Sequence, residues 1–191
     1  MGSEMCIRDR VKSATLRRVL PSTIEVDIYE RSPLGLARFG SRLYLVDDEG
    51  VLIDEHGPGF SEAILPIIDG LSGEPSMSVD SKRVRLVSNL IGALEMDPAL
   101  ASQVSQINVE NPYDAVVILS DSPTLIHLGD DQFLRRLREF LGLKQSLKEY
   151  VTDIDSVDLR FEHRVFIRPV NPSQDLETTV AARRIRRMSI Q

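Results

Sequence analysis

The chain has 191 residues, of which 42% are hydrophobic and 27% charged, a composition ordinary for a globular protein with one sizeable domain or two small ones. A net charge of -6 at pH 7 argues against a nucleic-acid binder, because phosphate contacts need an excess of Lys and Arg. Trp is absent and aromatics make up 5%, so the core must rest on Leu, Ile and Val, and no apolar run approaches the roughly 20 residues of a membrane-spanning helix.

Met1 to Arg10 (MGSEMCIRDR) lacks periodicity and does not join naturally to the strand-like residues after it. It reads as an artefactual extension or a disordered polar arm, outside the fold. Cys6, the only cysteine, lies within it, which leaves the rest of the chain without a thiolate nucleophile, a disulfide framework or a Cys-based metal site. Val11 to Val19 and Thr23 to Arg31 follow, separated by Leu20-Pro21-Ser22. Ile24, Val26 and Ile28 alternate with Glu25, Asp27 and Tyr29, the period-two pattern of a half-buried strand, so this region is expected to be an antiparallel hairpin. An isolated hairpin is marginal, and its missing partners are expected upstream.

Leu36 to Phe39, Leu43 to Val46 and Val51 to Ile53 read as a β meander, with Asp47-Asp48-Glu49-Gly50 as a turn and Gly57-Pro58-Gly59 at its end. Ile64-Leu65-Pro66-Ile67-Ile68 comes next, then a polar, Gly-rich loop to Ser78. Ser81 to Met96 sets Val84, Val87, Leu90, Ile91 and Leu94 on one helical face, with Asp80 or Ser81 as cap and Asp97-Pro98 as terminator. Ile107 to Val109, Ala115 to Leu119 and Thr124 to Leu128 read as strands. A second helix is expected from Asp130 to about Leu141, with Phe133, Leu134, Leu137 and Leu141 inward and Arg135, Arg136, Arg138 and Glu139 toward solvent. Asp155 to Phe161 alternates as a strand, Glu162-His163 is a turn, and Arg164 to Arg168 is a final strand stopped by Pro169. Asn171 to Gln191 ends Arg-rich and reads as a disordered tail.

Little in this order points to chemistry. His56, His127 and His163 each stand alone, without a His partner at ligand spacing. His127 sits in an apolar strand and reads as a partly buried sheet residue. Asp47-Asp48-Glu49-Gly50 lacks the regularly spaced oxygen ligands of a calcium loop, and a hairpin turn explains it. There is no Gly-rich phosphate loop and no nucleophile elbow. The expectation is therefore no catalytic residue, no cofactor and no metal, and a binding role.

The motifs, taken together, resemble a known family. Arg17, Arg18, Leu20 and Pro21, then Glu30, Arg31 and Pro33, then Val46, Asp47 and Gly50 look like the region of FtsQ/DivIB bacterial cell division proteins where a POTRA domain meets a β domain. Ile64 to Gly70 resembles the family's Leu-Pro-hydrophobic-Gly segment, and Val157-Asp158-Leu159-Arg160-Phe161 its penultimate strand. The resemblance covers roughly Val11 to Pro169. It implies an α+β fold: the C-terminal part of a POTRA-like domain over 11–34, then over 35–170 a mostly antiparallel β domain with two helices on one face. It also implies a single-pass inner-membrane protein whose POTRA and β domains lie on the periplasmic side, with FtsB-like and FtsL-like partners and an influence on septal peptidoglycan synthesis. At Val109 to Ala115, where some relatives carry arginines toward the partner, this chain has Glu110, Asn111 and Asp114, so that charge contact does not carry over. The competing class is another envelope POTRA-containing module with an assembly or chaperone-like role, but such modules recur as repeats and none is visible here.

The partner site that the resemblance implies is the last strand and its neighbour: Phe161, Arg164, Val165, Phe166, Ile167 and Arg168. An edge strand offers unpaired backbone groups that another chain completes. Phe161, from the neighbouring strand, is the expected aromatic anchor. Val165 and Ile167 are the expected apolar contacts, and Arg164 and Arg168 would meet acids of the partner.

Overall fold

A computed structural model describes residues 10–57, 65–71, 80–148, 153–162 and 164–170. The readings for 1–9, Pro58-Gly59, Ile64, the loop to Ser78, His163 and 171–191 lie outside these residues. β1 (Val11–Val19) and β2 (Thr23–Glu30) pair antiparallel as a separate two-stranded sheet. β3 (Gly35–Phe39), β4 (Arg42–Val46) and β5 (Leu52–Glu55) form the expected meander. They join β6 (Ile67–Asp69), β7 (Val104–Asn108), β8 (Ala115–Leu119), β9 (Ser122–Gly129), β10 (Ile154–Asp158) and β11 (Phe166–Pro169) in a nine-stranded sheet, ordered β11-β10-β9-β8-β7-β6-β3-β4-β5.

The sheet is mostly antiparallel, as expected, but β3–β6, β6–β7 and β9–β10 run parallel. A parallel join needs a crossover that carries the chain back to its starting end. The connection from β6 to β7 contains helices α1 (Ser81–Glu95) and α2 (Pro98–Ala101), and that from β9 to β10 contains α3 (Phe133–Lys148). β6 and β9 point the same way, since β6 is parallel to β7 and two antiparallel steps lead on to β9. Both crossovers also step toward β11. The right-handed crossover preference then sends both long helices to one face of the sheet, where α1 and α3 touch each other.

That shared face is the core. Val84, Val87, Leu90 and Leu94 of α1 and Phe133, Leu137 and Phe140 of α3 are buried with Ile68, Ile107, Val117, Ile126 and Val157 of the strands. Each such side chain contributes about 1.5–3 kcal/mol when fully buried. Asp80 caps α1 by accepting from the Lys82 amide at 2.8 Å. Asp97 does more than end α1. It caps α2, accepting the Leu100 amide at 3.2 Å with Pro98 in the first turn, where a missing N–H costs nothing.

α3 begins at Phe133, three residues later than the charge pattern suggested, because Gln132 has φ 52° and breaks the helical path. It runs on past Leu141 to Lys148, with Leu143 also against the core. Arg136 is not on the solvent side: it is 7% exposed. Its Nη1 donates to the carbonyls of Leu128 and, at 2.8 Å, Asp131, and pairs with the Asp131 carboxylate at 2.8 Å. A buried guanidinium is tolerable when its donors are used in this way.

The hairpin differs from the rest. Its register aligns Ala14, Leu16 and Arg18 with Ile28, Val26 and Ile24, which gathers one apolar row, yet Leu16, Ile24, Val26 and Ile28 are all more than half exposed. No described residue covers that row. Backbone hydrogen bonds without apolar cover open readily, so amides of β1 and β2 are expected to exchange with deuterium orders of magnitude faster than those of Leu137 and its neighbours in α3. Equal protection would mean the hairpin is held by something other than its own ladder.

Candidate functional site

β11 closes one end of the nine-stranded sheet, with β10 on one side and no strand on the other among the described residues. Its exposed backbone can be worked out from the register. Along a strand the N–H and C=O of one residue point to the same side and those of the next residue point opposite. The Leu159 amide donates to the His127 carbonyl at 3.0 Å, so Leu159 and Val157 face β9, and Asp158 and Ser156 face β11. Their partners are Phe166 and Arg168. The Val170 amide donating to the Asp153 carbonyl at 3.1 Å gives the same parity. Ile167 and Pro169 therefore direct their backbone groups away from the sheet. Pro169, which has no N–H, occupies a position that takes no bond from β10, and so extends the strand rather than stopping it.

Side chains follow the same alternation. Val165 and Ile167 pack partly against the core and Pro169 is buried, while Arg164, Phe166 and Arg168 are exposed. The six expected residues thus divide: Ile167 turns its backbone outward, Val165 and Ile167 tuck their side chains partly inward, and Phe161, Arg164, Phe166 and Arg168 are exposed. Val165 and Ile167, the expected apolar contacts, thus keep only part of their side chains open to solvent. Two boundaries are corrected. β11 starts at Phe166 because the Arg164 amide donates to the Phe161 carbonyl at 3.3 Å, closing a turn. β10 ends at Asp158, whose Oδ1 accepts the Arg160 amide at 3.0 Å. Phe161 consequently sits in that turn, not on the neighbouring strand.

From the turn Phe161 still reaches Phe166, edge to face, with ring centroids 5.1 Å apart and an interplanar angle of 74°. The rings are 52% and 51% exposed, an unusual state for paired aromatics, whose contact is worth about 0.5–1.5 kcal/mol beyond burial. The Arg160 guanidinium lies 6.0 Å from the Phe161 centroid, at the limit of a cation–π contact. It grips Asp158 through Nη2 at 2.6 Å and Nε at 3.0 Å, and Asp114 through Nη1 at 3.2 Å. Asp114, 5% exposed, also accepts from the Gly129 amide at 3.0 Å and from His127 Nδ1 at 2.8 Å. This cluster braces the turn that carries Phe161. Sequence alone hid it, because Asp114, His127 and Asp158 meet only through the β8–β9–β10 register; the Asp158-x-Arg160 spacing was the sole local signal.

Burial pushes the Asp158 carboxyl up, but the hydrogen bonds from the Arg160 guanidinium and amide outweigh it and hold the group below its ordinary range. Arg160 is raised in turn, first by that hydrogen bond. A depressed carboxylate contributes stability that is present above its unfolded value, about 3.9, and lost as pH falls through the folded one. Acidification below pH about 4 is therefore expected to release the clasp, seen as a shift of the Phe161 ring resonances. Invariant resonances down to pH about 2 would mean that Asp158 does not hold the turn.

Among the described residues no group of three or more His, Cys, Asp and Glu is arranged to hold a metal ion, and no helix is long and apolar enough to cross a membrane. Residues 36–160 match the family described as cell division protein FtsQ/DivIB, C-terminal. Curated relatives named cell division protein FtsQ include one from Koribacter versatilis, 31% identical over 162 residues, covering 83% of this chain and 47% of that protein. Another, from Anaeromyxobacter sp., is 32% identical over 139 residues, covering 69% and 46%. A third, from Geobacter sp., is 24% identical over 165 residues, covering 84% and 59%. The chain thus spans about half the length of these relatives. A solved structure, the major extracytoplasmic domain of the cell division protein DivIB from Geobacillus stearothermophilus, aligns with TM-score 0.42 at 15% identity, over 64% of this chain and 98% of that one.

Proposed function

The chain belongs to the FtsQ/DivIB family of cell division proteins, and on that premise we propose that it is a non-catalytic scaffold of the division machinery that binds FtsB- and FtsL-type partners by strand addition at β11. The observation that carries this reading is the edge of β11 that no strand among the described residues pairs: outward backbone groups at Ile167 and Pro169, flanked by an exposed Phe161–Phe166 pair and by Arg164 and Arg168. Added-strand hydrogen bonds are available to any sequence, so selectivity falls to the flanking side chains. The aromatic pair suits an apolar side chain of the partner, and the two arginines suit its acids. In this reading the domain stands on the periplasmic side of the inner membrane, tied to it by a single upstream helix. The β1–β2 hairpin is the end of a POTRA domain, and partner binding helps control septal peptidoglycan synthesis.

The test is titration with a peptide of the FtsB-type protein from the same genome. Phe161→Ala is expected to weaken binding by about 1–3 kcal/mol, roughly tenfold to a hundredfold, with the melting temperature little changed because the ring is half exposed. Unchanged affinity would remove Phe161 from the site.

A further inference from the structure

The hairpin and the large sheet meet through charge. Arg10, expected to lie outside the fold, instead accepts the Arg31 amide at 2.8 Å and pairs through Nη2 with Asp54 of β5 at 2.6 Å, and Lys12 of β1 reaches Asp48 at 3.1 Å and Glu49 at 3.6 Å. Just past the end of β2, Arg31 Nη1 bonds the Asp47 carboxylate and, at 2.9 Å, Glu49. The acidic partners Asp47, Asp48 and Glu49 all belong to the β4–β5 turn. Asp47 is 1% exposed, and its other oxygen takes the amides of Glu49 at 3.0 Å and Val51 at 2.7 Å. The turn is thereby rigid, and a hydroxyl of α1, Ser88 Oγ, donates to the Asp48 carbonyl behind it at 3.4 Å. Meanwhile every residue of β1 after Val11, and every one of β2, is exposed, so among the described residues no apolar interface shares the load.

We infer that the β4–β5 turn is an ionic hinge, in which the part-buried Arg31–Asp47 pair is the pivot and the more exposed Lys12 and Arg10 pairs are stays that set the hairpin's angle to the sheet. The two kinds of pair differ in how salt reaches them. Charges at the surface are screened over about 10 Å at 0.1 M salt and about 3 Å at 1 M, whereas buried pairs are screened far less. Raising ionic strength therefore slackens the stays and leaves the pivot. The hairpin then samples a wider range of angles without detaching.

The experiment places spin labels at Thr15→Cys on β1 and Asn89→Cys on α1 in the full chain with Cys6→Ser, and reads the distance distribution between them. At 0.05 M NaCl a single narrow distribution is expected, widening at least twofold at 1 M. Arg10→Gln with Lys12→Gln should be equally wide at 0.05 M. Arg31→Gln should be wide at both salt concentrations. A parent width that ignores salt, or a double variant as narrow as the parent at 0.05 M, overturns the hinge. Should Arg31→Gln not fold, the salt series and the double variant decide it, since neither disturbs the buried carboxylate.

Discussion

Ile167→Pro is expected to leave the sheet folded and to weaken strand addition by tenfold or more, whereas Phe166→Pro is expected to break the β10–β11 hairpin. The two residues are adjacent and the substitution is the same, so the contrast isolates the direction of one N–H. At Ile167 the N–H points away from β10, by the parity that the Leu159 and Val170 amides fix. Proline there removes a donor that the isolated chain does not use, and edge strands tolerate it. What is lost is a hydrogen bond to the incoming strand, about 0.5–1.5 kcal/mol net, together with close approach where the ring projects. At Phe166 the N–H points toward Asp158, and its removal leaves a ladder acceptor unpaired at a cost of about 1–3 kcal/mol. Phe166→Ala separates the two roles of that residue, since it deletes the ring and keeps the amide. Binding should fall with the hairpin intact. If Ile167→Pro and Phe166→Pro behave alike in melting and in peptide titration, the parity assigned to β11 is wrong.

Gly70→Ala carries the largest expected loss of stability. Gly70 follows β6 with φ 82°, and a Cβ there would lie 2.3 Å from the Glu110 amide nitrogen and 2.7 Å from its Cα. Those are backbone atoms, held in turn by the Val109 amide donating to the Asp69 carbonyl at 2.9 Å and by Arg83 donating to the carbonyls of Val109 and Glu110 at 2.9 to 3.2 Å. Nothing flexible can give way. Left-handed strain of about 1–3 kcal/mol and overpacking of similar size predict a loss of about 2–6 kcal/mol. Gly92→Ala is the control, because it lies within α1 with open space where the Cβ would go, and should stabilise by about 0.5–1 kcal/mol. Equal melting temperatures for Gly70→Ala and the parent would show that the β6 and β7 ends are not locked together.

Those two substitutions also mark how far the sequence could be read. Alternation between Ile24 and Ile28 marks β2 as a strand, although the strand is exposed throughout and not half-buried, whereas the three- and four-residue steps from Val84 to Leu94 mark α1 with its Asp80 cap, a local pattern that burial enforces. The parallel joins were not legible, since pairing between β6 and β7 or β9 and β10 depends on a crossover and leaves no mark in either strand. Arg136 was misread because its neighbours Arg135 and Arg138 are exposed charges, and only the carbonyls of Leu128 and Asp131 explain why it turns inward. At the site, the six residues expected from the family resemblance fall on β11 and the turn before it. Their division into backbone donors and exposed side chains was not legible, because the face each takes follows from the register with β10. Phe161 was assigned to a strand by its place in Val157-Asp158-Leu159-Arg160-Phe161, yet Asp158 and Arg160 close on each other and turn the chain.

The most direct test of strand addition at β11 is residue-resolved amide protection on saturating the chain with the FtsB-type peptide. The outward amide of Ile167 should pass from fast exchange to strong protection, since it gains a partner only in the complex. The Phe166 and Arg168 amides, already directed to β10, should change far less. A peptide that binds while the Ile167 amide exchanges as fast as before would contradict the account, and new protection elsewhere on the sheet would show where the partner sits instead.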